Sequence, residues 1–323
     1  MQRSGRNPIL TRDDIPAVSP LVSDITSVFN PGAIRIGDRY VLLLRVQTRG
    51  RETVLMLAES ANGEDFAVQP RLVAIDGLEG VGETIYHIYD PRITRIGEWV
   101  YVVFAADVDG ACRLGIARTR DFEDVRGLEL ISWTGDRDTR NGVLFPEKIG
   151  GRWLRLERPN RVRLDSGVMT GSEIVLAESD DLVDWRIVGP VMAGRAHYWD
   201  ELIGSGPPPV KTREGWLHIY HGVATHFASS NIYQAGVSLL DLEDPSKVIA
   251  RGRNNILEPR EIYELIGQVP NVVFPSGMIA EKYDDDGFAR PDSTVRIYYG
   301  AADTVVALAT ATIDELLAES RIE

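Results

Sequence analysis

One motif, repeated five times in order, limits this chain more than any other feature. The copies are FNPGAIRIGDRYVLLLRV (29–46), YDPRITRIGEWVYVVFAA (89–106), LFPEKIGGRWLRLERP (144–159), GPPPVKTREGWLHIYHG (206–222) and VFPSGMIAEKYDDDGFARPDSTVRIYYGAAD (273–303). Each reads as a proline, a short strand, a polar or glycine-containing turn and an aromatic-rich strand, which is the signature of a hairpin. With Pro31, Pro91, Pro146, Pro208 and Pro275 as markers, the steps are 60, 55, 62 and 67 residues. A second segment follows each hairpin: LAESANGEDF (57–66), IARTRDFEDV (116–125), LAESDDLVDW (176–185), VSLLDLEDPSKV (237–248) and LATATIDELL (308–317). Each is a small or β-branched run ending in an acidic turn, as a third strand would. Five such units predict an all-β fold, a five-bladed β-propeller, rather than a β-sandwich. Blades share one axis, so residues 1–323 are read as a single propeller domain with an N-terminal arm over 1–23. Helix is expected only near Arg260–Ile266 and Ile313–Ala318.

The balance of 35 basic and 48 acidic residues gives a formal charge of −13. That excludes duplex nucleic acid or an anionic membrane as the main partner, because phosphate-rich surfaces call for net positive charge. A local basic pocket for one small anion is compatible with it. Cys112 is the sole cysteine; no intrachain disulfide can form, which suits a reducing compartment. No apolar run reaches the roughly 18–20 residues of a membrane span, and the N-terminus lacks a signal-peptide core. A cytoplasmic location is expected. The five histidines, His87, His197, His218, His221 and His226, have no HExxH spacing. No P-loop, Rossmann or nucleophile-elbow motif stands out. No metal and no cofactor is therefore expected.

In a propeller the innermost strands begin at one mouth of a central channel. The residues just before each hairpin then face one another: Asn30, Asp90, the 140–146 stretch, 200–209 and 271–276. A mouth with a few convergent polar groups is the default ligand site. Asp90 and Asn30 hold equivalent places in two repeats, and turn chemistry alone does not require both. Arg45 interrupts the apolar run LLLRV, so its guanidinium must face a polar channel or be paired; Asp303 is the expected partner if it is paired. Arg140, Arg158 and His221 flank the third and fourth hairpins, and together could bind an anion through arginine's planar donors.

FNPGA, YDPRIT, NGVLFPEKI, ERP, IGSGPPPVKT, GWLHIYHG, LLDLEDPSKVI, ILEP, VPNVVFPSG and YYGAAD together resemble glycoside hydrolase family 130, over about 30–310. The resemblance implies a five-bladed propeller that cleaves β-mannosides with inversion, as a phosphorylase or a mannosidase. It implies Asp90 as the general acid, its proton passing through a hydroxyl of the bound mannose. Asn30, Arg45 and Asp303, with Tyr89 beside the acid, would hold the mannose. Arg140, Arg158, His221 and Tyr233 would hold inorganic phosphate as co-substrate. Leu202 stands where the phosphorylases usually carry a basic residue, Asn141 where Asp is frequent and Glu157 where His is frequent.

Two carboxylates are needed when water is the nucleophile, but one suffices for phosphate. Phosphorolysis giving α-mannose 1-phosphate is the first expectation. An inverting β-mannosidase with Glu201 as candidate base is the second, and a sugar-binding propeller without catalysis the third. Linkage and leaving sugar are assigned to the loops Gly77–His87, Arg161–Gly171 and Thr225–Ile232. The partners expected are a small oligosaccharide, phosphate and, through the arm before Asp24, a further copy of the chain.

Overall fold

Strands that are apolar on both faces must be covered on both faces, and the chain solves this by stacking its sheets around an axis. The computed structural model describes residues 1–20, 22–123, 127–160, 162–163, 169–226 and 230–322. Most of the 161–171 loop and the middle of the 225–232 loop lie outside the described residues. Blade one is Ile25–Ile36, Arg39–Thr48, Thr53–Ser60 and Ala67–Leu72. Blade two is His87–Ile96, Trp99–Val108, Ala111–Thr119 and Leu128–Trp133, with the short strand Ile75–Asp76 at its outer edge. Blade three is Thr139–Leu144, Trp153–Pro159, Glu173–Ser179 and Arg186–Ala193. Blade four opens with Leu202–Ser205 and Val210–Thr212, both paired to Gly215–Ala224, then Ile232–Leu240 and Val248–Arg251. Blade five is Val273–Ala280, Thr294–Ala301 and Val305–Thr312, completed by Gln2–Arg3 from the other end of the chain.

The burial of each strand follows its place. Trp99–Val108 and Gly215–Ala224 are buried almost throughout, so they are dominated by apolar residues, broken only by Asp107 in the first and by His218 and His221 in the second. The outermost strands Ala67–Leu72 and Arg186–Ala193 carry exposed residues in alternation, as a strand with one wet face should. The turns at Gly37 and Gly97 join strands across two residues, and each glycine takes φ +59°, which a hairpin turn needs at its first position.

Near the axis the inner strands approach closely. A methyl group on Gly206 would stand 3.1 Å from the Pro275 carbonyl, one on Gly277 3.0 Å from that of Pro31, and one on Gly32 2.8 Å from that of Pro91. Blades four, five, one and two are thus drawn together through residues without side chains. Among the described residues the two α-helices, Ile262–Leu265 and Ile313–Ser320, occur at the two expected places, and two single 3-10 turns, Arg12–Asp14 and Leu78–Gly80, fall outside them.

The N-terminal arm does not project. Gln2 and Arg3 pair with Thr310 and Ala309, and Ile9 N–H donates to the Val306 carbonyl at 2.9 Å. The Arg3 guanidinium meets the fully buried Glu264 carboxylate at 2.7 and 2.8 Å, and the Tyr299 hydroxyl donates to the same group at 2.7 Å. No helix among the described residues is long and apolar enough to cross a membrane.

Candidate active site

Three inner strands carry the same irregularity. Their ladders skip between Phe29 and Gly32, between Tyr89 and Arg92, and between Arg140 and Val143. In each the strand holds one more residue than its partner, a β-bulge, which re-aims side chains. The first bulge residue takes a left-handed backbone: Asn30 at φ 46°, Asp90 at 53° and Asn141 at 55°. Asn and Asp tolerate that region best among residues with a side chain. Asn141 is therefore blade three's counterpart of Asn30 and Asp90. Pro146, the marker expected there, lies beyond the bulge; Gly142 occupies the place of Pro31 and Pro91.

The bulges open on a cavity of about 300 Å³. Asn30, Arg45, Tyr89, Asp90, Arg140, Arg158, His221, Tyr233 and Asp303 all line it, so five blades contribute to one site. Asp107, Asn141 and Phe274 line it too. Asn141 and Phe274 fall within the 140–146 and 271–276 stretches expected at the mouth, whereas Asp107 lies outside every stretch the sequence singles out.

On one side stands Asp90. Asn30 Nδ2 and Arg45 Nη1 both donate to its Oδ1 at 2.9 Å. Among the described residues nothing donates to Oδ2. The Arg45 guanidinium lies between the rings of Phe29 and Tyr89, 4.4 and 4.8 Å from their centroids, an arrangement that favours the cation. Its ion-pair partner is Asp90, not Asp303 as expected, because blade two's bulge brings the carboxylate onto the blade-one strand. Asp303 sits in the turn between the last two strands of blade five, with φ 48°. Burial pushes its carboxyl up to about 6; the Arg45 cation pulls the other way and the Asp90 charge adds to the rise. Tyr89 supports more than it offers: its hydroxyl donates to Asp107 Oδ1 at 2.6 Å, and burial keeps it protonated.

On the other side stand Arg140 and Arg158, directly opposite each other in the blade-three ladder. Like charges so placed repel. Burial opposes the charge on Arg140, but Tyr89, Cys112, Asp107 and Asp138 around it favour the cation and raise its pKa. Arg158 is lowered, by burial and then by Arg140. The Nε of each is buried with no partner among the described residues.

His221 completes this wall, its ring 4.6 Å from Phe274 and 6.2 Å from Tyr233 between centroids. Both ring nitrogens are buried and without a partner among the described residues. Burial, then the Arg158 and Arg92 cations, push its protonation well below the usual histidine range. It is a neutral imidazole with one N–H to donate. Burial likewise raises the Tyr233 phenol, so its hydroxyl stays protonated.

Glu201 is not part of this constellation. Its carboxylate accepts a hydrogen bond from the Thr225 hydroxyl, which holds it below the usual carboxylate range, and it does not line the cavity. Leu202 beside it is buried in the ladder opposite Val223. Among the described residues, no three His, Cys, Asp or Glu side chains stand close enough together to hold a metal ion.

Residues 2–320 match the family profile described as beta-1,4-mannooligosaccharide phosphorylase. The beta-1,4-mannooligosaccharide phosphorylase of Ruminococcus albus is 30% identical, across 98% of this chain and 89% of its own. A beta-1,2-mannobiose phosphorylase of Thermoanaerobacter sp. is 35% identical, across 91% of this chain and 94% of its own. The solved structure of the Listeria innocua beta-1,2-mannobiose phosphorylase with beta-1,2-mannobiose superposes with a TM-score of 0.83 at 27% identity, covering 99% of this chain and 98% of that one. With a match that spans nearly its whole length, the chain belongs to glycoside hydrolase family 130.

Proposed function

We propose that this protein cleaves β-manno-oligosaccharides by inverting phosphorolysis, releasing α-mannose 1-phosphate. One observation carries the reading: the facing Arg140–Arg158 pair, with neutral His221, shares a single cavity with Asp90, while Glu201 stands outside it. Phosphate is already an anionic nucleophile and needs positioning rather than a base. The relatives named above as phosphorylases support the same choice.

Asn30 and Arg45 fix Asp90 through Oδ1. Oδ2 is left to carry the proton that reaches the glycosidic oxygen, through a hydroxyl of the bound mannose as in the family. A phosphate oxygen held by Arg140, Arg158, His221 and Tyr233 attacks C1 from the opposite face. The new C1–O–P bond forms as the bond from C1 to the leaving sugar breaks, and β becomes α. Residues from all five blades take part, so 1–323 acts as one catalytic propeller. The reading includes a cytoplasmic location, supported by the lone, buried Cys112.

Incubation with β-1,2- and β-1,4-mannobiose, with and without phosphate, tests it by anomeric NMR. Equal amounts of α-mannose 1-phosphate and mannose should form on the preferred linkage, and only with phosphate. Free mannose formed at the same rate without phosphate would reject phosphorolysis in favour of hydrolysis. Binding without any turnover would leave a sugar-binding propeller.

A further inference from the structure

We propose that Arg92 is the positioning residue of this site, tying the Asp90 bulge to blade four across the propeller axis. The inference rests on the reading of Asp90 as the acid. Arg92 follows Asp90 by two residues and is only 1% exposed. Its Nη1 donates to the Asp90 carbonyl at 2.7 Å, and its Nε to the Gly206 carbonyl at 2.7 Å. Its guanidinium carbon lies 5.4 Å from the Phe274 ring centroid, so it touches blade five as well.

The bulge explains why a donor is needed there. The ladder register jumps from Tyr89 to Arg92, which takes the Asp90 carbonyl out of the regular pairing with blade two's next strand. A buried carbonyl left that way must find another donor. A left-handed Asp is itself a strained element, and persists only where its surroundings over-determine it. Arg92 supplies that constraint, anchored at its far end on the strand link of blade four, whose Gly206 N–H is in turn bonded to the Ile219 carbonyl at 3.0 Å. The acid and the blade that carries His221 are thus held in one frame.

The alternative role, a space-filling plug on the axis, is poorly suited to this side chain. Burying a guanidinium against two neutral carbonyls, with Nη2 unpartnered among the described residues, is costly where an apolar group could fill the space. Without Arg92 the bulge can relax. A displacement of the carboxyl by about 1 Å costs on the order of 100-fold in rate.

The test compares two leaving groups in Arg92→Met and Arg92→Lys, with thermal unfolding measured for each. Mannobiose needs a proton to depart; 2,4-dinitrophenyl β-mannoside departs as a stable phenolate without one. In Arg92→Met, kcat on mannobiose should fall about 100-fold with KM changed by less than about threefold, while the dinitrophenyl substrate loses under about fivefold. Arg92→Lys, which can reach one carbonyl, should fall between. Equal losses on both substrates, or no loss on mannobiose, would overturn the proposal. Should Arg92→Met fail to fold, the same ratio in Arg92→Lys decides. Asp90→Asn is the reference: if it shows no dependence on leaving group, the acid reading has failed rather than the role of Arg92.

Discussion

The two sides of the cavity are finished in different ways. On the side of blades one and two, donors converge on a protein group: Asn30 and Arg45 meet at Asp90 Oδ1, and Arg45 is clamped between two rings. On the side of blades three and four, Arg140 and Arg158 face each other with Nε atoms unpaired among the described residues, and His221 has neither nitrogen bonded to them. A buried polar atom left without a partner costs about 1–3 kcal/mol. The first side is arranged to aim one carboxylate, with Asn30 Oδ1 and Arg45 Nε left unpartnered among the described residues. The second, in the function proposed above, is completed by the phosphate anion. Aim and affinity are therefore separable here, and mutations should separate them.

The largest effect should come from Asp90→Asn. Removing a general acid costs about 100- to 10,000-fold in kcat on a poor leaving group, and phosphate affinity should change little. Calorimetric titration of the variant with phosphate checks the second half; loss of phosphate binding would show that the two sides are not separable.

Next is Arg158→Met. Losing charge-assisted bonds worth about 1.5–3 kcal/mol should raise the KM for phosphate by about 10- to 150-fold. The KM for mannobiose at saturating phosphate should hold. Initial rates over a grid of both substrates read this directly, and a parallel rise in both constants would break the comparison.

The smallest effect concerns Asp303. Its folded-state pKa of about 6 lies above the usual carboxylate value, so the folded form holds its proton more tightly than the unfolded chain. Its contribution to stability is fully present below about pH 4 and is lost as pH rises through 6. Asp303→Asn should therefore raise the unfolding midpoint relative to wild type at pH 7.5, and the gain should shrink to nothing near pH 4. A gain independent of pH would locate the strain in the backbone at Asp303 instead of in its charge.

The repeat made the propeller legible, since each blade must encode the same strands and turns. It also exposed Asn30 and Asp90 as equivalents and Arg45 as a charge in an apolar strand. Asn141 was harder to place, because its neighbour is Gly142 instead of proline and the proline pattern pointed to Pro146. Partners across blades were not legible either. That Arg45 meets Asp90 rather than Asp303 depends on how far one inner strand slides past the next. Glu201 looked suitable by its place before Leu202, but the blade-four ladder leaves its carboxylate with Thr225. Arg92 was visible only as part of YDPRIT; its role depends on Gly206, a residue of another blade.

The outer strand of blade five is made by Gln2 and Arg3, lying against Ala309 and Thr310. During synthesis the ring's first link is made long before the segment it must clasp. Until then Arg3 has no Glu264 to hold and the inner edges of blades one and five stand open. Assembly of the mouth, and with it the arrival of Asp303 within reach of the Arg45 and Asp90 charges, is thereby a late event governed by the joining of distant ends.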